Sequence, residues 1–162
     1  MVSAAPCGMR PTRPPKKAGF IKVPHVVRRL WRIQRKQVWR DIFELEAIGP
    51  LLILVAWGSL MEGAVWTHYI DNNAALAALV RGSSSVMSGD IIVGATWRRV
   101  AQLAICPWFD RVESSANPVD GLSRGRMSGP WNEVTSLTIP QDVIEELRQW
   151  VVADRRRGTT IP

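Results

Sequence analysis

Apolar residues that recur every three or four positions predict helices along much of this chain. The spacing predicts a basic helix within residues 26–40, a mostly apolar helix over 42–60, a short helix over 72–81, an amphipathic helix over 90–105, and a terminal helix over 140–156. Gly49 and Pro50 are expected to kink or interrupt the apolar helix, because proline donates no backbone hydrogen bond.

Two short runs predict β-strands instead. Residues 64–70 are aromatic and β-branched, and residues 108–113 follow Pro107. Because helices are predicted between them, the two strands should lie parallel, joined by a helical crossover. We therefore predict the α/β class, with a short parallel strand pair and helices. Two strands form a thin sheet for independent stability.

Length and composition narrow the classes of protein that remain. The chain has 162 residues, of which 46% are hydrophobic and 22% charged, as in an ordinary globular domain. Cys7 and Cys106 exclude a disulfide framework and a cysteine-rich zinc module. The apolar run 48–60 is short and contains Pro50, so a buried helix is expected and no membrane partner. No secretory signal is visible, which predicts an intracellular protein of the nucleus or cytoplasm; an Arg-rich, acid-free organellar transit peptide is the alternative.

Charge divides the chain near residue 40. Residues 1–40 carry eleven Lys and Arg, five Pro and no Asp or Glu, whereas residues 41–162 carry ten basic and fourteen acidic side chains. We predict a basic, Pro/Arg-rich arm over 1–40, disordered or partly helical, ahead of a mildly acidic body. Such an arm suits phosphates; a solvated, inert terminus is the alternative. The expected nucleic-acid contacts are Arg28, Arg29, Arg32, Arg35 and Lys36.

Three acidic residues stand at the junctions of predicted elements. Glu44 opens a helix, Asp71 ends a strand, and Asp120 opens a short helix. Carboxylates gathered at one place need a cation, and oxygen ligands favour Mg²⁺ or Mn²⁺. Two such ions can hold the attacking water and the leaving oxygen of a phosphodiester. The alternative is that these residues only cap helices and close turns.

The wording around these acids resembles the ribonuclease H-like domain attached to reverse transcriptases of retroelements. The resemblance covers residues 43–124 and rests on ELEAI at 44–48, DNNAAL at 71–76, RVES at 111–114 and NPVDGLSR at 117–124. It implies metal-dependent cleavage of RNA in RNA–DNA hybrids, with Glu44, Asp71 and Asp120 as ligands of two Mg²⁺ or Mn²⁺ ions. It also implies an upstream reverse transcriptase domain in a longer parent polyprotein. The order of the acids favours this lineage over integrases, which place the glutamate last.

One departure from the family is expected to impair activity. The family begins with three antiparallel strands, the first bearing an aspartate, but no acid precedes Asp41 here. We therefore predict a truncated ribonuclease H-like fold: a partial domain over 41–128, followed by a linker and a C-terminal amphipathic helix over 129–162. The alternatives are a non-catalytic nucleic-acid-binding remnant, or an interaction protein using the basic arm and the C-terminal helix.

Four other side chains have a predicted role. Glu46 could replace Glu44 as the active acid, but two positions further along a helix it is expected to point away from the site. His68 is expected to pack within its strand. Trp97 and Trp108 are expected in the core rather than as base-stacking platforms.

Overall fold

The computed structural model describes residues 17–33, 41–116 and 133–156. In chain order they form β1 (Lys17–Ile21), α1 (His25–Ile33), α2 (Ile42–Trp57) with a 3-10 turn (Gly58–Leu60), β2 (Val65–Ile70), α3 (Asn73–Arg81), α4 (Met87–Gln102), β3 (Cys106–Arg111), a second 3-10 turn (Ser114–Ala116), β4 (Glu133–Leu137) and α5 (Gln141–Arg156). The predicted α/β class is confirmed.

The predicted parallel strand pair is also present. β2 and β3 lie parallel, with Val65 opposite Cys106 and Ile70 opposite Arg111, and α3 and α4 form the connection between them. The ladder continues one step beyond the pair, where the Val112 N–H donates to the Ile70 carbonyl at 3.0 Å. Both strands therefore end at the same edge, and Asp71 directly follows β2 there.

A second parallel pair joins the two ends of the described chain. β1 lies alongside β4, with Lys17 opposite Glu133 and Ile21 opposite Leu137. Neither strand was predicted, because each is a five-residue segment without clear alternation. Each becomes recognisable only through its distant partner.

Residues of the predicted arm and of the predicted C-terminal helix pack into the same core as the residues between them. Val27 and Trp31 of α1 are fully buried, and α1 packs against α5. Val143 and Leu147 of α5 enter the same core. Residues 17–33 and 133–156 are therefore parts of the folded body, since their apolar faces cover one another. Part of the basic region is helical, as expected.

Helix α2 lies at the centre of the core. It packs chiefly against α4 and also against α3, and it continues through Pro50 without the predicted interruption. Gly89 lets α4 approach closely, since a Cβ at that position would overlap the ring of Phe43. The buried side chains of α2 are Phe43, Glu44, Ala47, Ile48, Pro50, Leu51, Leu52 and Leu54.

Among the described residues, Ile42–Leu60 is the one stretch long and apolar enough to cross a membrane by length and composition. This stretch coincides with the helix predicted over 42–60, of which residues 48–60 are the short apolar run. Half of its most apolar window is buried inside the protein. Its packing against α3 and α4 is that of a core helix.

Candidate active site at the carboxyl end of the parallel strands

Asp71 lies at the carboxyl end of β2, in the short link to α3. The Asn72 side chain caps α3 by accepting a hydrogen bond from the Ala75 N–H at 3.0 Å. This cap fixes the chain directly after Asp71, because an N-cap residue keeps extended backbone while the helix begins. Ligands of parallel α/β sheets bind at this end of the strands.

The carboxyl group of Glu46, on α2, lies close enough to that of Asp71 for the two to interact electrostatically and through hydrogen bonding. Burial, then the negative charge of Asp71 and then this hydrogen bond, raises the pKa of Glu46 from 4.5 to about 7. Glu46 therefore exchanges its proton near neutral pH.

The expectation that Glu46 points away from the site is wrong. Residues two apart on a helix do point to different sides, but Glu46 is the one that reaches Asp71. Glu44 is 1% exposed, and its Oε1 accepts a hydrogen bond from the Ser88 hydroxyl of α4 at 2.9 Å. The rotation of α2 about its own axis decides which glutamate faces which neighbour. The sequence pattern does not give that rotation.

One basic residue lies at the same edge of the strand pair. Arg111 ends β3 opposite Ile70, and its guanidinium donates a hydrogen bond to Asn73 Oδ1 at the start of α3. The neighbouring Asp110 carboxylate accepts the Arg111 backbone N–H at 2.7 Å. Arg111 was not predicted as a site residue, although its position at a strand end, within the RVES phrase, was a usable signal.

The remaining candidates are only partly covered by the structure. Asp120, Arg35 and Lys36 lie outside the described residues. Arg28 and Arg29 are exposed on α1. Within 17–33, 41–116 and 133–156, no three His, Cys, Asp or Glu side chains cluster as a metal-binding group.

A cleft of about 460 Å³ opens beside this site. It lies between the start of α2, helix α3 and the loop before α4. Apolar side chains such as Phe43 and Ala78 line it, together with the polar side chains of Asn72, Arg81 and Ser84. Asn72, which lines one end of the cleft, directly follows Asp71 in the sequence.

His68 is a packed strand residue, as predicted. Its ring lies 5.1 Å from the Trp66 ring and 6.4 Å from the Phe109 ring, measured between centroids. Burial lowers the pKa of His68 from 6.5 to about 4, so the side chain is neutral at physiological pH. These ring contacts do not bring His68 to the Glu46–Asp71 pair.

No family model, curated protein or solved structure matches the chain. The resemblance to ribonuclease H-like domains therefore stays a prediction, which rests on the residues quoted for it.

Proposed function

We propose that this chain is a ribonuclease H-like domain whose chemistry is the hydrolysis of the RNA strand in RNA–DNA hybrids. The observation that supports it is the proximity of Glu46 to Asp71 at the carboxyl end of parallel strands. The order of elements around it also agrees: a glutamate-bearing helix, a strand ending in aspartate, two helices and a parallel strand.

The carboxyl pair suits a hard divalent cation. Mg²⁺ is commonly bound through one or two carboxylates, with water and substrate phosphates completing its shell. Glu46 and Asp71 are the described residues that would hold it, and Asp120 joins them only by resemblance. Glu44, the glutamate of the ELEAI phrase, is assigned only by resemblance too. When bound, such an ion acts as a Lewis acid towards a phosphate oxygen.

The protein's own groups contribute charge and proton control. Glu46 exchanges its proton near neutral pH, because its pKa is about 7. A bound cation competes with that proton for the same oxygens, so its binding strengthens as pH rises through 7. Arg111, held by Asn73 at the same edge, offers a positive charge to a substrate phosphate.

Activity of this chain alone is expected to be very low. The related domains place a further aspartate on their first strand, and residues 1–40 here contain no Asp or Glu. Without that acid, the two-metal clamp on the attacking and leaving oxygens is incomplete. Metal binding at Asp71 is therefore a better test than turnover.

The first testable prediction is that Mn²⁺ binds beside Asp71. In amide NMR spectra, Mn²⁺ should broaden the signals of residues 71–73 and 111–113 first, and more at pH 8 than at pH 6. Asp71→Asn should remove this local broadening. Asp110→Asn is the matched control, because Asp110 is an exposed acid on the neighbouring strand, and it should leave the broadening intact.

Two results would contradict the proposal. One is broadening around 71–73 that persists in Asp71→Asn, which would place the ion elsewhere. The other is clear hybrid cleavage, in Mg²⁺ or Mn²⁺, that Asp71→Asn leaves unchanged.

A second candidate is nucleic-acid binding without catalysis. It is favoured by the eleven basic residues of 1–40, of which Arg28 and Arg29 are exposed on a packed helix. The third alternative, interaction through the C-terminal helix, loses support because Val143 and Leu147 of α5 are already buried in the protein's own core.

A further inference from the structure

One face of the β2–β3 pair is open to solvent along its whole length. Val65 is 78%, Tyr69 58% and Trp108 65% exposed. The residues between them point to the other face, where Trp66 and Ile70 are buried. Tyr69 and Trp108 are the exposed aromatic side chains of this face.

The two exposed rings are diagonal neighbours on this face. Thr67 lies opposite Trp108, and Tyr69 lies opposite Asp110, so Tyr69 and Trp108 are separated by one diagonal step of the ladder. Side chains in this relation lie within reach of one another. Since both belong to regular strands, their backbone is already ordered before any ligand arrives.

Trp108 therefore differs from Trp97, although both were expected in the core. Trp97 is partly buried, donates its indole N–H to the Leu79 carbonyl at 2.9 Å and packs edge-on to Phe109. Its core assignment is confirmed. The core assignment of Trp108 is wrong, because the strand alternation turns its ring to the uncovered face.

We propose that this face, formed by Val65, Thr67, Tyr69, Cys106, Trp108 and Asp110, is a stacking platform for the unpaired bases of a single-stranded nucleic acid. Exposed aromatic rings on a sheet accept any base through its flat face. The face is small, because each strand of six residues extends about 20 Å and the two neighbouring strands together are about 10 Å wide. That is far below the roughly 800 Å² that a stable protein partner covers on each side.

A basic side chain lies at one end of the face. Arg111 follows the face directly at its carboxyl end, and because residues 41–162 carry ten basic and fourteen acidic side chains, the attraction for a polyanion is local to Arg111. Asp110 is the one acid among the six positions, and its carboxylate is engaged with the Arg111 N–H. The proposal does not depend on the Glu46–Asp71 pair, so it can hold even if the proposed catalytic chemistry fails.

The test uses the full chain and a fluorescein-labelled twelve-residue oligothymidylate, with anisotropy as the readout. Trp108→Ala should weaken binding between about five-fold and one hundred-fold, the range for losing one stacked base. Tyr69→Ala should act in the same direction, and Trp108→Phe should restore most of the affinity. Leu60→Ala is the matched control, because Leu60 is 72% exposed and lies outside this face.

Two comparisons separate stacking from general electrostatic attraction. Trp108→Ala should weaken binding of the single strand but leave binding of the corresponding duplex within about two-fold, because paired bases cannot reach the rings. Photocrosslinking to an oligonucleotide containing 5-iodouracil should label the peptide of Trp108 or that of Tyr69. Circular dichroism confirms that each variant is folded.

Three outcomes would overturn the proposal. They are absence of single-strand binding by the parent chain, equal affinity of the parent and Trp108→Ala, and crosslinks confined to residues outside the face. Concentration-dependent dimerisation that Trp108→Ala abolishes, without single-strand binding, would assign the face to a second copy of the chain instead.

Discussion

At the scale of single residues, Glu46 and His68 give the protein two opposing responses to pH. The pKa of Glu46 is raised to about 7, so the folded chain holds a proton that the unfolded chain releases near 4.5. The free energy of unfolding therefore falls as pH rises from about 4.5 to 7. The pKa of His68 is lowered to about 4, so the unfolded chain takes up a proton that the folded chain refuses. The free energy of unfolding therefore falls as pH drops from about 6.5 to 4.

If one of the two side chains is replaced, the free energy of unfolding should show the pH dependence that the other side chain causes. With Glu46→Gln, the free energy of unfolding should rise from pH 4.5 to 6.5 by about 1–3 kcal/mol, because the response of His68 is then no longer opposed by that of Glu46. With His68→Phe, the free energy of unfolding should fall over pH 4.5–7 by about 1 kcal/mol. The fall is small because Glu46 is only partly buried, so water screens its interactions.

Urea denaturation at several pH values measures both slopes, and the parent chain should show the flattest profile of the three. A Glu46→Gln profile that still falls between pH 4.5 and 6.5 would show that another acid carries the response. The double variant is the control, since it should lose both slopes.

Individual site residues differ in how far the sequence could predict them. Asp71 and His68 were predictable, because the end of a strand and the interior of a strand are visible in the pattern. The choice between Glu44 and Glu46 was not, because it depends on the rotation of α2 against β2. Trp108 was mispredicted because alternation shows two faces but not which face the helices leave uncovered.

At the scale of secondary-structure elements, the contact between α2 and α4 holds the site together. α2 carries Glu46 to Asp71, and α4 supports α2 from the other side. Gly89 permits the approach, because a methyl group there would collide with the Phe43 ring. A change at Gly89 should therefore act on the whole α2–α4 interface.

Two glycines of α4 provide a matched pair of substitutions. Gly89→Ala should lower the free energy of unfolding by about 1–3 kcal/mol, since it overpacks a tight contact. Gly94→Ala should raise it by about 0.5–1 kcal/mol, because alanine favours the helix and its Cβ would meet only the far end of Arg98, at 3.5 Å. Thermal and urea unfolding measure both. Equal effects of the two substitutions would show that helix propensity, not packing, decides their stability.

The elements themselves were predictable where their cause is local. Helical periodicity predicted α2, α3, α4 and α5, and the aromatic, β-branched run predicted β2. β1 and β4 were missed because KAGFI and EVTSL gain their structure from pairing with each other across the chain. Such nonlocal pairing leaves little trace in either segment alone.

At the scale of the whole molecule, the described parts of both ends close on one another. β1 pairs with β4, and α1 packs against α5, so the first basic segment is anchored in the core through Val27 and Trp31. Charge composition predicted a basic arm, disordered or partly helical, over residues 1–40, and because Val27 and Trp31 are buried, deleting that segment would remove core side chains. Charge must instead be altered by substitution of exposed residues.

The last prediction concerns the binding of nucleic acid by the exposed basic side chains of α1. Arg28 and Arg29 are exposed on α1, within a part of the sequence that is rich in Lys and Arg. Each phosphate contact releases condensed counterions, which contributes about 0.9 to the slope of log affinity against log salt on duplex DNA. Arg28→Gln with Arg29→Gln should therefore flatten the slope by up to about 1.8 and weaken all sequences alike. The matched control is Arg98→Gln with Arg148→Gln, which removes the same net charge from exposed positions of α4 and α5. If both double variants flatten the slope equally, only net charge matters and α1 is not the binding element.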